Sequence, residues 1–527
     1  MVSVLASTPR AAADEPACDT ERFRLRRFVD RLVEWGECEI YDKPIDLVDV
    51  AAVLDGNPRA VHFTSVGPEK AELTGNVMGS RRRLALALDT DDRALLAALQ
   101  ERLKTPHAPV KVEDAPVHEV VRTGDDADLC ALPVHLQHGE DGAPYISASL
   151  DFALFPGSGF TNVGCRRIML RGPRHAGIDL IAPSDLRAIY LESVARKEPL
   201  PVAYAVGSHP ADFIAAVTAT PPMDELAVIG ALRGAPVPIV KCVTNDVWVP
   251  ADAEYVLEGF LDPQGHTEPE GPYGEYVGYY GVVKRNPVFR LTAITHRRDA
   301  LFQTATIGGR ELARTDTAQL TTMKTETAAW AALVTAVREP VAVFATPSSG
   351  GMYNIRLSLR QRVPGEARNA ICAVFGSMAE AKHVFAFDAD VDVFSDEQVD
   401  WALATRFQAD RDLMVATGFR VVPLDPSLGG ARTGAKAGFD CTIPFGKTGN
   451  FEWAVPAAPA VAGATARGRQ KSVIDALSAA PASFVELVAA LGSRDGREIV
   501  RELDRLYAGD RLGRLDNGKY VLKDGRK

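Results

Sequence analysis

The sequence predicts a mixed α/β and α+β chain of several domains, with a β-rich centre and a winged-helix-like end. Three observations carry this. The chain has 527 residues, too many for one core when a domain takes roughly 100–200. Its 46% apolar and 24% charged residues are those of an ordinary globular protein. Its texture also changes along its length, from helical spacing to short apolar segments between Gly/Pro turns, and then to strands alternating with helices.

Residues 1–19 read as a disordered tail. They are Ala-rich, carry Arg10, Asp14 and Glu15, and lack the basic-then-apolar order of a signal peptide. Residues 20–115 form an N-terminal α/β domain. Phe23, Leu25, Phe28, Leu32 and Val33 recur at helix spacing, and Val61–Phe63 and Leu84–Leu88 read as strand-like or buried. Residues 116–315 are β-rich, with strands expected at Tyr145–Leu150, Arg167–Leu170, Val202–Val206 and Val237–Lys241. Two helices interrupt them, Ser184–Arg196 with Ser184 as N-cap and Ala211–Thr218.

Residues 316–338 are Ala-rich and read as a connecting helix. Residues 339–455 form a second α/β domain, with buried strands expected at Val341–Phe344, Ala370–Val374 and Val384–Phe387. Residues 456–466 are a linker by composition. In residues 467–527, apolar spacing gives three helices, and Asp516-Asn517-Gly518 between short apolar runs gives a hairpin. That is a winged-helix pattern, with 13 Lys/Arg against 9 Asp/Glu.

The net charge of −10 argues against a nucleic-acid scaffold and suits a cytoplasmic enzyme. Seven scattered cysteines without a CxxC pair argue against disulfides or structural zinc and fit a reducing compartment. No uncharged apolar run approaches the ~18–20 residues that span a bilayer.

Chemistry concentrates in four clusters. Glu270 and Glu275 flank the turn Gly271-Pro272-Tyr273-Gly274. So tight a turn brings both carboxylates to one volume, which pushes one pKa towards neutrality and makes a proton donor. The neighbouring tyrosines would wall off water. Asn162 and Arg167 lie five apart around Gly164, offering a cation an amide oxygen and a carboxylate a planar fork. Asp224 and Glu225 lead into an apolar run, where a carboxylate can bind a hard divalent cation. Lys436 stands among small residues, able to reach a phosphate or flavin oxygen.

Each cluster also has a plain reading as a solvated turn, loop or helix start, and none decides alone. Glu254 and Glu258, four apart, read as an ordinary helix face. His135 and His138, the closest histidines, read as hydrogen-bonded loop residues. Gly446-Lys447-Thr448 lacks the first glycine of a phosphate loop, since Cys441 stands there. There is no GxGxxG or GxSxG either, so dehydrogenase and serine-hydrolase readings have no anchor.

Taken together, these clusters resemble the UbiD family of prenylated-flavin-dependent decarboxylases, over about Phe28 to Val455. The motifs run in the family's order. They are His138–Leu150, Asn162–Arg167, Met223–Gly234, Ile239–Gly259, Glu270–Gly278, Pro347–Ala367, Asp388–Arg406 and Gly434–Thr442. The resemblance implies a central split β-barrel that binds flavin, a linking helix and a C-terminal dimerisation domain.

It also implies a catalytic Arg167, Glu270 and Glu275, and Mn²⁺ (or Mg²⁺) ligands Asn162, Asp185 and Glu225. Contacts to prenylated FMN fall on Asn162, Cys165, Arg166, Arg167, Ser184, Asp185, Glu225 and Lys436. A monovalent cation such as K⁺ belongs to the same picture. The implied partners are an aryl or unsaturated acid, CO₂, a flavin prenyltransferase and a second copy of the chain, with no membrane and no nucleic acid. Aromatic or heteroaromatic acids come first as substrates and cinnamate-type acids second. Two departures stand out: Asp185 occupies a position where a His is usual, and the tail after Arg467 lies outside the family pattern. Two rival readings remain, a flavin-free metal decarboxylase and a ligand-sensing regulator whose tail binds DNA. The weak basic excess of the tail opposes the second.

Overall fold

A computed structural model describes residues 19–218, 223–446, 451 and 470–523. It divides after Gly446 into two compact units. Among the described residues no helix is long and apolar enough to cross a membrane.

The larger unit opens with a helix over Leu25–Glu34 that buries Leu25, Phe28, Val29 and Leu32, the i, i+3, i+4, i+7 stripe of an amphipathic helix. A four-stranded sheet follows, from Cys38–Tyr41, Ala60–Val66 and Ala71–Gly75, with Phe302–Gln303 as fourth strand on the last of these. A segment distant in sequence therefore completes the N-terminal sheet. Leu84–Leu88, expected as strand-like or buried, lies in and just after a helix, Arg81–Ala87. Leu84 and Ala85 are indeed buried, but alternating Leu and Ala mimics a strand period. The Ser80 hydroxyl, accepting from the Arg83 N–H, and strong helix formers decide for helix.

The centre is a closed six-stranded antiparallel barrel of β1 (Tyr145–Leu154), β2 (Thr161–Gly172), β3 (His175–Ile178), β4 (Leu200–Val206), β5 (Tyr255–Leu261) and β6 (Val288–His296). The order is β5-β4-β1-β2-β3-β6, and β6 pairs back onto β5. Closure removes the sheet edge. Helices α1 (Asp185–Arg196) and α2 (Glu225–Arg233) are inserted between strands, with Ser184 capping α1 through Arg187 N–H.

Glu254 and Glu258 are not on a helix, because Glu258 lies within β5 and Glu254 just before it. The run Tyr255-Val256-Leu257 and Phe260 favours a pleated, buried surface. Glu258 accepts the backbone N–H groups of Val243 (3.0 Å) and Thr244 (2.8 Å), and Glu254 takes Arg24 at 3.0 Å. Pro238–Lys241 is a strand outside the barrel, in a three-stranded sheet with Val110–Lys111 and Trp248–Pro250.

Helix α3 (Asp316–Ala336), capped by Thr315, leads to a five-stranded sheet. Ala370–Val374, expected as a strand, lies inside α4 (Glu366–Ser377). Ala370, Ile371 and Val374 form its buried stripe while Cys372 is exposed, which is helical spacing rather than alternation.

The smaller unit has helices Val473–Ala479, Phe484–Leu491 and Arg497–Ala508, and a hairpin of Leu512–Arg514 with Tyr520–Leu522. Ser483 and Glu486 form a capping box. The expected linker, 456–466, lies outside the described residues.

Candidate active site

Two short ladders build the hairpin that carries the paired glutamates. Glu268–Glu270 pairs with Lys284–Asn286, and Tyr273–Gly274 pairs with Tyr280–Gly281. Between them Gly271 has φ 100°, a conformation open to glycine and strained for other residues. The bend delivers both carboxylates to one guanidinium, that of Arg167 on β2. Arg167 Nε donates to Glu270 Oε1 at 3.0 Å, Nη2 to Glu270 Oε2 at 3.1 Å, and Nη1 to Glu275 Oε1 at 2.6 Å. Both glutamates are buried, and the arginine side chain keeps 12% exposure. Its Cζ lies 4.4 Å from the centre of the Tyr273 ring, within cation–π range. Tyr273 is buried, whereas Tyr279 and Tyr280 stand 60% and 41% exposed. The water-excluding role expected of the tyrosines therefore falls to Tyr273 and Tyr276.

Arg167 holds a third carboxylate, Asp179, whose Oδ2 lies 2.9 Å from Nη2 and 3.1 Å from Lys284 Nζ. Burial works against ionisation of Asp179, yet Arg167 and Lys284 keep its pKa below the usual range. Sequence reasoning missed Asp179, Lys284 and Asn286. The one available signal was a lone Asp between apolar residues in Gly177-Ile178-Asp179-Leu180-Ile181.

Arg167, Asp179 and Glu275 line a cavity of about 210 Å³. Cys165, Arg166, Phe213, Tyr276 and Leu320 of α3 share its wall. Burial and nearby Asp151 push the Cys165 thiol up to about 12, so it is a neutral wall residue.

The second cluster lies on β1, β2 and the starts of α1 and α2. Glu225 Oε2 accepts the N–H of Val163, and Asn162 Nδ2 donates to Asp151 Oδ2 at 3.0 Å. Burial pushes Glu225 up to about 7, against the Val163 hydrogen bond and with Asp151, Asp185 and Asp224 adding like charge. Arg166 Nε lies 3.0 Å from Asp151 Oδ1, but neither atom makes a hydrogen bond, so the contact is an ion pair only. Arg166 Nη2 also donates to Ser184 Oγ at 3.3 Å.

Asp151 pairs with Arg166, while Asp151, Asp185 and Asp224 act on Glu225 as like charges. That surplus of negative charge, with the Asn162 amide beside it, suits a hard divalent cation. Among the described residues no three His, Cys, Asp or Glu side chains form a closed metal cage, so a cation here needs oxygens from a bound ligand as well. Asp151, the one charged residue of β1, also went unnoticed in the sequence.

Lys436 is not brought to either cluster. It is buried in the strand Thr433–Asp440, where Nζ donates to the carbonyls of Phe375 (3.0 Å) and Met378 at the end of α4. It lines a separate cavity with Tyr353 and Glu380, and burial lowers its pKa to about 8 against the pull of Glu380. The unpaired carbonyls of a helix C-terminus satisfy an ammonium well. His135 is buried, bonds Thr304 Oγ1 at 3.0 Å and is held down to about 4 by burial, a neutral structural residue.

Three family models match consecutive stretches of the chain, all domains of 3-octaprenyl-4-hydroxybenzoate carboxy-lyase, UbiD. They are its N-terminal domain over residues 29–103, its Rift-related domain over 108–311 and its C-terminal domain over 319–441. Anhydromevalonate phosphate decarboxylase of Methanosarcina mazei is 30% identical over 438 residues, 82% of this chain and 98% of that protein. The UbiD-class enzyme HmfF of Pelotomaculum thermopropionicum, solved with FMN, superposes with a TM-score of 0.78 at 33% identity, covering 83% of this chain and 97% of that one. An evolved dimeric form of HmfF with prFMN gives 0.73 at 32% identity, covering 81% and 96%.

Proposed function

The chain belongs to the UbiD family, and we propose that within it the protein is a prenylated-FMN-dependent decarboxylase of an aromatic, heteroaromatic or α,β-unsaturated carboxylic acid. The observation that carries this is the guanidinium of Arg167, gripped by Glu270 and Glu275 at the wall of a cavity.

Loss of CO₂ from an sp² carbon leaves an electron pair that no side chain can delocalise, and prenylated FMN supplies the electron sink when bound. The residues present suit such a group. The Asn162, Asp185 and Glu225 oxygens would hold Mn²⁺ or Mg²⁺, Arg166 and Ser184 add donors, and Cys165 contributes neutral wall. Lys436, tied to two carbonyls, is withdrawn from this set.

Arg167 has five N–H donors; it spends three on Glu270 and Glu275 and turns Nη2 to Asp179 as an ion pair. The second Nη1 hydrogen is free for the substrate carboxylate. Glu270 fixes the guanidinium along its Nε–Nη2 edge. Glu275 is the acid that delivers a proton to the carbon from which CO₂ departs. Tyr273 and α3 keep bulk water from that carbon. The five-stranded C-terminal domain we assign to self-association.

The test is Glu275→Gln, which keeps the shape and removes the acid. It should retain cofactor, seen by intact mass and near-UV absorbance after co-expression with a flavin prenyltransferase, and lose turnover by ~10² or more. Near-normal turnover in that variant refutes the proton-donor role.

A further inference from the structure

The hairpin that carries the glutamates also carries Asn286, fully buried on its returning arm. Its amide makes three hydrogen bonds, all of them at the site. Nδ2 donates to Glu270 Oε2 at 3.2 Å and to Asp179 Oδ1 at 3.3 Å, while Oδ1 accepts the N–H of Leu180, next to Asp179, at 3.0 Å. One neutral side chain thus ties together the two carboxylates that share Nη2 of Arg167.

We propose that Asn286 is the positioning residue of this site, holding Glu270 and Asp179 as a fixed anionic pair so that Arg167 is aimed and Glu275 alone is left to carry the proton. This rests on the reading of Glu275 as the acid. Hydrogen bonds to a carboxylate favour its ionised form, and the three carboxylates receive them unequally. Glu270 accepts three, two from Arg167 and one from Asn286. Asp179 faces Arg167, Lys284 and Asn286. Glu275 accepts one from Arg167.

Two cations, Arg167 and Lys284, meet three carboxylates, and Glu275 is the one that receives a single hydrogen bond. Other charged groups nearby are committed elsewhere. Asp316 of α3 binds the N–H groups of Met78 and Thr306, Arg166 faces Asp151, and His138 behind the hairpin faces Asp141 at 3.4 Å. A charged residue at position 286 would upset the balance, and an apolar one would take a donor from each carboxylate and leave the buried Leu180 N–H unpaired.

The experiment compares wild type, Asn286→Ala, Asn286→Asp and Glu275→Gln in the cofactor-loaded enzyme against a panel of aryl acids. Melting and cofactor absorbance are recorded for each, and a crystal structure for Asn286→Ala. The expected result for Asn286→Ala is unchanged cofactor content, kcat/KM lower by about 10- to 100-fold, and Arg167 displaced from the Tyr273 ring. Asn286→Asp should work at acidic pH, where its protonated carboxyl can donate, and fail reversibly as pH rises, at a lower pH than wild type does.

Wild-type kcat/KM and pH profile in both Asn286 variants, or an Arg167 still bonded to Glu270 in the Asn286→Ala structure, overturns the proposal. If Asn286→Ala does not fold, the Asn286→Asp pH profile decides, and a profile unshifted from wild type overturns it. If Glu275→Gln turns over normally, it is the parent reading that has failed. If no acid is consumed by wild type, the position of Arg167 in the Asn286→Ala crystal still decides.

Discussion

Arg167 and Arg233 are built from the same parts. Each lies over an aromatic ring (Tyr273 at 4.4 Å, Phe23 at 5.1 Å), and each is held by two hydrogen-bonded carboxylates. Arg233 takes Asp212 at 2.6 and 2.7 Å and Asp252 at 2.6 Å. The difference is access. Arg233 and its two partners are each about 1% exposed at the side chain, so the triad is sealed. Arg167 lines a cavity, keeps an unused N–H and adds Asp179 with its counter-cation Lys284. A sealed arginine triad can hold elements together, while an arginine open on one side can hold a substrate. Composition and spacing do not distinguish the two, because access depends on what packs above.

The largest expected effect breaks the sealed triad. Arg233→Met leaves Asp212 and Asp252 buried without a cation and should cost about 3–5 kcal/mol in urea unfolding, with the specific activity of the folded fraction unchanged. A loss below about 1 kcal/mol would remove the distinction. Arg167→Lys keeps the charge but loses the planar fork, so turnover should drop about 10²-fold, or about 2.7 kcal/mol in barrier, with cofactor retained. An enzyme that is as active with lysine needs no bidentate grip at this position.

Glu225 gives a smaller, pH-dependent effect. Its pKa in the folded, metal-free protein is raised to about 7 by burial and the surrounding carboxylates. The folded state thus prefers the protonated form, so this stabilisation is present below about pH 4.5 and is lost as pH rises towards 7. Urea melts of metal-free protein at pH 5 and 7.5 should differ by about 1–3 kcal/mol more in wild type than in Glu225→Gln. Equal differences would show that the cluster is open to water. Smallest is Lys519→Ala in the winged-helix unit. Its ion pair with Glu486, 2.9 Å long, is exposed on both sides, and its loss should move the melting point by less than about 1 kcal/mol equivalent.

Much was legible in advance where a local rule was strong. The Ser184 cap, the three tail helices and the Asn517-Gly518 hairpin lie where spacing and turn chemistry put them. The meeting of Arg167 with Glu270 and Glu275, 103 and 108 residues away, was legible only through the order of the motifs. Local rules misled where two periods compete. The Leu84–Leu88 alternation is helical, Ala370–Val374 is a helix face, and Glu254 and Glu258 belong to the approach and body of a strand. Lys436 misled because a lysine among small residues says nothing about which carbonyls its ammonium will meet.

By itself the sequence determined the family, the order of the domains, the caps and turns, and the turn at Gly271 that brings two glutamates together, since these follow from residue type and short-range spacing. Only the tertiary structure decided that Asp179, Lys284 and Asn286 complete the set around Arg167, that Asp151 joins the Asn162 cluster, and that Lys436 stands apart. Those choices depend on which buried charge finds which partner across a closed barrel, a matter of desolvation and long-range packing that neighbouring residues cannot encode.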